Sequence, residues 1–428
     1  SKLLAFYFLK FFIPLPAVNV CNHITNYTIM SQNKTNYALP LAFVGMMFFS
    51  LGFALGINSF LIPVLQTSLS LSSGVAYLLL AATFLPFIIF GYPAAKTISV
   101  IGYKKTMALS FLIFAAAFVL FVFSAKQNSF PLFLLASFVS GAANAYLQAS
   151  VNPYITILGP LESAAKRISM MGICNKLAWP VAPLFFAMVV ANPDNVQIAD
   201  LYVPFYIIIA VFLGLGVISL LAPLPEVTAA GEDESSAADC PYAAKKTSIW
   251  QFPHLVLGAL TLFIYVGVET LSLSTAVDYA KSLQLANPDL YAWIPSIGMV
   301  IGYICGIIFI PKYMSQDMAM RICAWIGVLG SLAIVLMPAE ISIWAIFLMA
   351  LGCSLMWPAL WPLAMADLGK FTKAGAGLLT MAIAGGAVIP TVFGFLKDAT
   401  TPQQAYWLAL PCFLFILYYG VAGYKIRK

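Results

Sequence analysis

Long apolar runs, each about the length that crosses a bilayer as a helix, recur along almost the whole chain, and the charged residues gather between them. That pattern leaves few folds open. A segment in hydrocarbon must satisfy every backbone N–H and C=O internally, which only helices and closed barrels do. A transmembrane barrel would show short segments alternating in polarity, and the runs here are long and continuous. A soluble fold is excluded by composition. Of 428 residues, 62% are hydrophobic and 8% charged, against about 25% charged in soluble domains. The expected fold class is therefore an all-α membrane protein that moves a small solute rather than performing covalent chemistry.

Twelve spans are predicted, at 41–64, 74–95, 106–124, 129–157, 168–191, 202–222, 252–277, 291–310, 318–337, 341–364, 374–395 and 404–424. Lys96, Lys104, Lys105, Lys166, Arg167, Lys245, Lys246, Lys312, Arg321, Lys370 and Lys373 fall in or beside alternate connections, and Lys425, Arg427 and Lys428 close the chain. The opposite connections hold only Lys126, Lys281 and Lys397. By the positive-inside rule both termini are cytoplasmic, in a multi-pass protein of the cytoplasmic (inner) membrane.

The stretch 223–251 differs in kind, with Glu226, Glu232, Asp233, Glu234 and Asp239 ahead of Lys245 and Lys246. It reads as a cytoplasmic linker between two six-helix bundles, 41–222 and 252–428. Residues 1–40 form an extension, cytoplasmic or partly signal-like, in which Lys10, Pro14 and Pro16 interrupt a short apolar run. Asn26 and Asn33 match the glycosylation pattern but would go unused in the cytoplasm. The two bundles read as repeats. Gly91-Tyr92 recurs as Gly302-Tyr303 and Asn58 stands opposite Glu269, both at an offset of 211 (302 − 91 = 269 − 58 = 211), and Asn152-Pro153 stands opposite Trp357-Pro358 at a near-constant 205 (358 − 153 = 205). Parallel six-helix repeats suggest rocking about a site at the membrane midplane.

Ionisable groups inside a membrane are functional candidates by default. Lys176 lies mid-span in the fifth helix and Glu269 in the seventh, while Asp278, near the outer end of the seventh, is expected to be wet. Asn144, Gln148 and Asn152 share a face of the fourth helix at i, i+4 and i+8, and Ser169 and Gly172 share one with Lys176. Trp357 and Trp361 lie one turn apart in the tenth helix. Amides, hydroxyls, a carboxylate and flat indoles suit a sugar, whose hydroxyls need paired donors and acceptors and whose C–H face packs on an aromatic ring. Gly91, Gly102, Lys104 and Lys105 form a short basic turn between the second and third helices and are candidates for a conformational gate. The seven cysteines are scattered, with no CxxC or Cys/His cluster, so no metal or cofactor is expected. The net charge of +6 comes from loop Lys and Arg and carries no nucleic-acid signal. No HExxH, GxSxG or Walker-type loop occurs, so nothing points to an enzyme.

Several segments carry a family resemblance. They are GFALGINSFLIP (52–63), LQASVNPYITILGP (147–160), YVGVE (265–269), SLMWP (354–358) and MAIAGGAVIP (381–390). In order and spacing, from about Leu41 onward, the chain resembles the fucose:proton symporter family of the major facilitator superfamily, in its glucose/galactose and L-fucose branch. The resemblance implies twelve helices, alternating access and a hexose-type substrate such as glucose, galactose, fucose or an N-acetylhexosamine. It also implies a co-transported proton or sodium. Where that family has a helix 1 Asp implicated in proton coupling, this chain has Ser59, and Lys176 is a cation new to the substrate face. Glu269 is then the coupling candidate. Asn58, Gln148, Asn152, Asn144, Ser169, Lys176, Glu269, Trp357 and Trp361 are the expected substrate residues of a protein expected to work as a monomer. Two alternatives stay open: a carrier for an anionic sugar or other organic anion using Lys176, and a non-transporting sensor on the same fold.

Overall fold

In the computed structural model, residues 38–158, 164–192, 196–222, 224, 241–310 and 313–426 are described. The N-terminal extension up to residue 37, with Asn26 and Asn33, and the acidic part of the expected linker lie outside them, as do Lys312, Arg427 and Lys428.

The described chain is helical throughout, with no strand. The first six helices are α1 (Ala38–Ser68), α2 (73–101), α3 (103–126), α4 (Phe130–Ile157), α5 (Ala164–Val189) and α6 (Tyr202–Leu221). The last six begin with α7 (Pro253–Ser282), α8 (Trp293–Phe309) and α9 (Gln316–Leu336). They end with α10 (Ala345–Cys353, continued by Met356–Met365), α11 (Thr372–Ala382, continued by Gly385–Ala399) and α12 (Ala409–Val421).

Eleven helical segments are long and apolar enough to cross a membrane, and one of them, Ser73–Lys126, has 54 residues. At about 1.5 Å per residue it would reach roughly 80 Å, far beyond a hydrocarbon core of about 30 Å. It is broken at Gly102, whose φ of 82° and ψ of 170° leave the helix, so it makes two spans and the total is twelve. The sequence predicted a longer basic turn here; instead helix runs to Ile101 and resumes at Tyr103. One glycine makes the turn because a side chain is disfavoured at that φ and ψ.

Apolar packing holds each group of helices. Phe111, Phe114 and Phe118 of α3 interleave with Phe205 and Phe212 of α6, with ring centroids as close as 4.9 Å. Between the two groups, α2 packs on α11, α5 on α8 and α1 on α7.

Polar contacts between the groups cluster at the end that carries the α1–α2 and α11–α12 connections. Asp398 at the end of α11 accepts from the backbone N–H of Ser73 at 2.8 Å and of Gly74 at 2.6 Å. A carboxylate on the first turn of a helix satisfies orphan donors and faces the positive end of the dipole. Nearby, Lys397 Nζ lies 2.6 Å from Asp278 Oδ2, and Tyr77 of α2 donates to the same oxygen at 3.0 Å. Asp278 is thus buried (7% exposed) rather than wet as its position near a helix end suggested, and Lys397 sits within α11 rather than in a loop. Helix closure at this end removes the water that would otherwise reach both charges.

Two outcomes follow from these contacts. Gly102→Ala should destabilise the protein by about 1–3 kcal/mol, read as a lower melting temperature in detergent. Gly377→Ala should not, because a Cβ there meets nothing within 4 Å. Asp398→Ala removes a cap worth about 1 kcal/mol, a roughly fivefold shift away from the sealed state. Spin labels at Asn128 and Gln284, exposed on opposite helix groups at this end, should then show a longer-distance population.

Candidate functional site

Between the two groups lies a cavity of about 100 Å³. Helical spacing explains its walls. Phe48, Leu51 and Leu55 of α1 form an apolar stripe at i, i+3 and i+7, and Gly172, Asn175, Lys176 and Trp179 line one face of α5. Gln148 and Asn152 enter from α4, Tyr265, Val266, Glu269 and Thr270 from α7, Tyr303 from α8 and Trp357 from α10. Phe84, Ile168 and Ile383 complete the wall. Phe84 precedes the interruption of α2 at Leu85, and Ile383 lies within that of α11 at Ile383–Ala384.

The electrostatic centre is a pair joining the two groups. Lys176 Nζ lies 3.2 Å from Glu269 Oε1, with both side chains close to nine-tenths buried. Tyr265, one turn before Glu269, donates to the same oxygen at 2.7 Å. Among the described residues the second carboxylate oxygen has no protein partner and is not sealed away, so it is open to a ligand. Among the described residues these two are the only charged ones in the wall, and together they carry no net charge when both are ionised.

The amides are held in place. Gln148 Nε2 donates to Asn144 Oδ1 at 2.9 Å, which leaves the Gln148 carbonyl oxygen for the cavity. Asn175 Nδ2 donates to the Phe48 carbonyl at 3.1 Å, which leaves its oxygen in the same way. The indole of Trp357 stacks on Trp361, with ring centroids 5.3 Å apart, so Trp361 backs the residue that reaches the cavity.

Of the residues expected from sequence, the structure brings Gln148, Asn152, Lys176, Glu269 and Trp357 to one cavity. Asn58, Asn144, Ser169 and Trp361 are not in its wall. Asn58 is fully buried, donating to the Ala54 carbonyl and accepting from Ser137 Oγ at 2.8 Å, and so bridges α1 to α4. Asn144 lies two turns from Asn152, where the helices have closed, and it orients Gln148. Ser169 is buried, 5% exposed, beside the wall. At the expected gate, Gly91 faces Thr380 of α11 at 3.8 Å from an added Cβ. Gly102 makes the helix break, and Lys104 and Lys105 follow it at the membrane edge, half-buried and exposed.

Sequence reasoning missed Asn175, Trp179 and Tyr303 as wall residues. Stepping three and seven residues from Gly172 along α5 reaches Asn175 and Trp179, so that signal was available. Ser59, at the family's acidic position, makes a 2.9 Å hydrogen bond to Ser274 of α7.

Known proteins share this architecture. The model of the Major Facilitator Superfamily matches residues 43–391. The chain is 29% identical over 408 residues to the glucose/galactose transporter of Brucella abortus (strain 9-941), covering 92% of this chain and 96% of that one. It is 24% identical over 396 residues to the L-fucose-proton symporter of Escherichia coli (strain K12), covering 85% and 88%. Its fold matches the crystal structure of the transporter FucP in the outward conformation, with a TM-score of 0.68 at 22% identity, over 92% of this chain and 99% of that one. An inward-facing bacterial homolog of the human lysosomal transporter Spinster matches with a TM-score of 0.64 at 16% identity, over 90% and 95%. With twelve spans around a central cavity and a family match over most of its length, the chain belongs to the Major Facilitator Superfamily.

Proposed function

We propose that this protein is a secondary transporter that carries a neutral hexose-type sugar across the cytoplasmic membrane by alternating access. The observation that carries the proposal is the cavity: amide oxygens, a carboxylate oxygen and an indole face around an ion pair that cancels its own charge. A sugar ring packs on Trp357 while Gln148, Asn152, Lys176 and Glu269 bond its hydroxyls. The names of the Brucella abortus and Escherichia coli relatives, a glucose/galactose transporter and an L-fucose-proton symporter, support this substrate class. Glu269 at 3.2 Å from Lys176 favours a neutral sugar over an anionic one, because an anion would compete with a partner already in place.

The remaining roles follow from this reading. The bundles 41–222 and 252–428 rock about the cavity, joined by the linker 223–251, within a single monomer. Both termini are cytoplasmic, as the Lys and Arg distribution suggests, so the Asp398 seal faces outward and the cavity opens inward. Glu269 couples transport to a cation, a proton in the first instance. Gly91, Gly102, Lys104 and Lys105 form the inner gate of the opposite state.

Uptake into proteoliposomes tests the proposal. Labelled glucose, galactose, fucose and N-acetylglucosamine should include at least one transported sugar, with galacturonate excluded. Sugar addition to a weakly buffered suspension should alkalinise the medium, and Glu269→Gln should abolish that signal. Uptake of galacturonate alone would reverse the substrate class. The pair itself predicts a stability pattern. Lys176→Gln or Glu269→Gln leaves a buried charge alone and should cost about 3–5 kcal/mol, whereas the double Gln variant should recover most of the melting temperature.

A further inference from the structure

Gly172 and Tyr303 come from opposite helix groups and meet inside the cavity wall. A Cβ placed on Gly172 would lie 2.7 Å from Tyr303 Cζ and 2.8 Å from its Cε1, closer than carbon atoms approach. The phenol of α8 therefore occupies the space that a side chain at position 172 of α5 would take. Tyr303 is itself only 4% exposed, yet it lines the cavity. Among the described residues its hydroxyl has no hydrogen-bond partner in the protein and is not sealed off from the cavity. The contrast with Tyr265 is direct, since the Tyr265 hydroxyl is already committed to Glu269 at 2.7 Å. A phenol held in the wall with its hydroxyl uncommitted and open to the cavity is free to bond a ligand there.

We propose that Tyr303 is a specificity-determining residue that hydrogen-bonds one hydroxyl of the transported sugar, and that Gly172 is the notch that admits it. The proposal rests on the reading of the cavity as a sugar site. The phenol can donate to a sugar oxygen or accept from a sugar O–H, so it selects for a polar group at one ring position. The contact also joins the halves. The hydroxyl is carried by the last six helices and the notch by the first six, so the sugar hydroxyl is bound where the two groups meet.

The test is uptake of galactose and its 2-, 3-, 4- and 6-deoxy derivatives by wild type, Tyr303→Phe, Gly172→Ala and the double variant. Tyr303→Phe keeps the ring and its packing. Wild type should discriminate against one deoxy derivative more than Tyr303→Phe does, by about five- to tenfold in KM, the effect of one hydrogen bond. Tyr303→Phe should raise KM for galactose by that factor with little change in turnover, and leave discrimination at the other positions intact. Gly172→Ala should raise KM in the wild-type background and add little in Tyr303→Phe. Unchanged discrimination in Tyr303→Phe, or an equal loss at every ring position, would overturn this assignment while leaving the sugar reading intact. Failure of wild type to move any of galactose, glucose, fucose and N-acetylglucosamine would overturn the sugar reading and this assignment with it.

Discussion

A charge carried into an apolar helix bundle must meet its opposite there, because an unpaired buried ion is strongly destabilising. Among the described residues two ion pairs meet the constraint, Lys176 against Glu269 at the cavity and Lys397 against Asp278 at the sealed end. The two pairs differ in what they join. Lys176 and Glu269 come from different helix groups, so the pair ties the halves together where a solute would sit. Lys397 and Asp278 both belong to the last six helices, and the tie to the first six is the Tyr77 hydroxyl. The central contact therefore joins two full charges, whereas the outer one joins a hydroxyl to an already balanced pair. Closure at the sealed end then depends on backbone capping by Asp398 and on small-residue packing, with Phe395 against Gly74 and Tyr77 against Gly394.

Helix interruptions align with this layout. The breaks in α2 and α11 face each other across the halves, with Phe84 against Gly386, and both border the cavity. The break within α10 falls at Ser354–Leu355, one turn before Trp357.

Most of the fold was legible in the sequence because a membrane span is a property summed over about twenty residues, and a few ambiguous positions do not alter it. The cavity was less legible. Gln148, Asn152, Lys176, Glu269 and Trp357 were found because polar or aromatic groups in hydrocarbon are conspicuous. Asn58 and Asn144 were conspicuous for the same reason, yet one bridges α1 to α4 and the other orients Gln148; spacing places a residue on a face but does not say which neighbour that face meets. The burial of Asp278 was hidden because it depends on α2 and α11 closing over it. Tyr303 was visible only as half of a repeated Gly-Tyr pair. Its role emerges from the absence of a side chain at Gly172, on a helix remote in sequence.

The central claim is that a neutral sugar sits in this cavity with its ring on Trp357 and the ion pair intact. A structure with bound sugar tests it most directly. The account predicts the ring against the Trp357 indole, hydroxyls within hydrogen-bond distance of Gln148, Asn152 and Glu269, and Lys176 still paired with Glu269. A sugar bound away from Trp357, or Lys176 released from Glu269 to hold an anionic group, would contradict it.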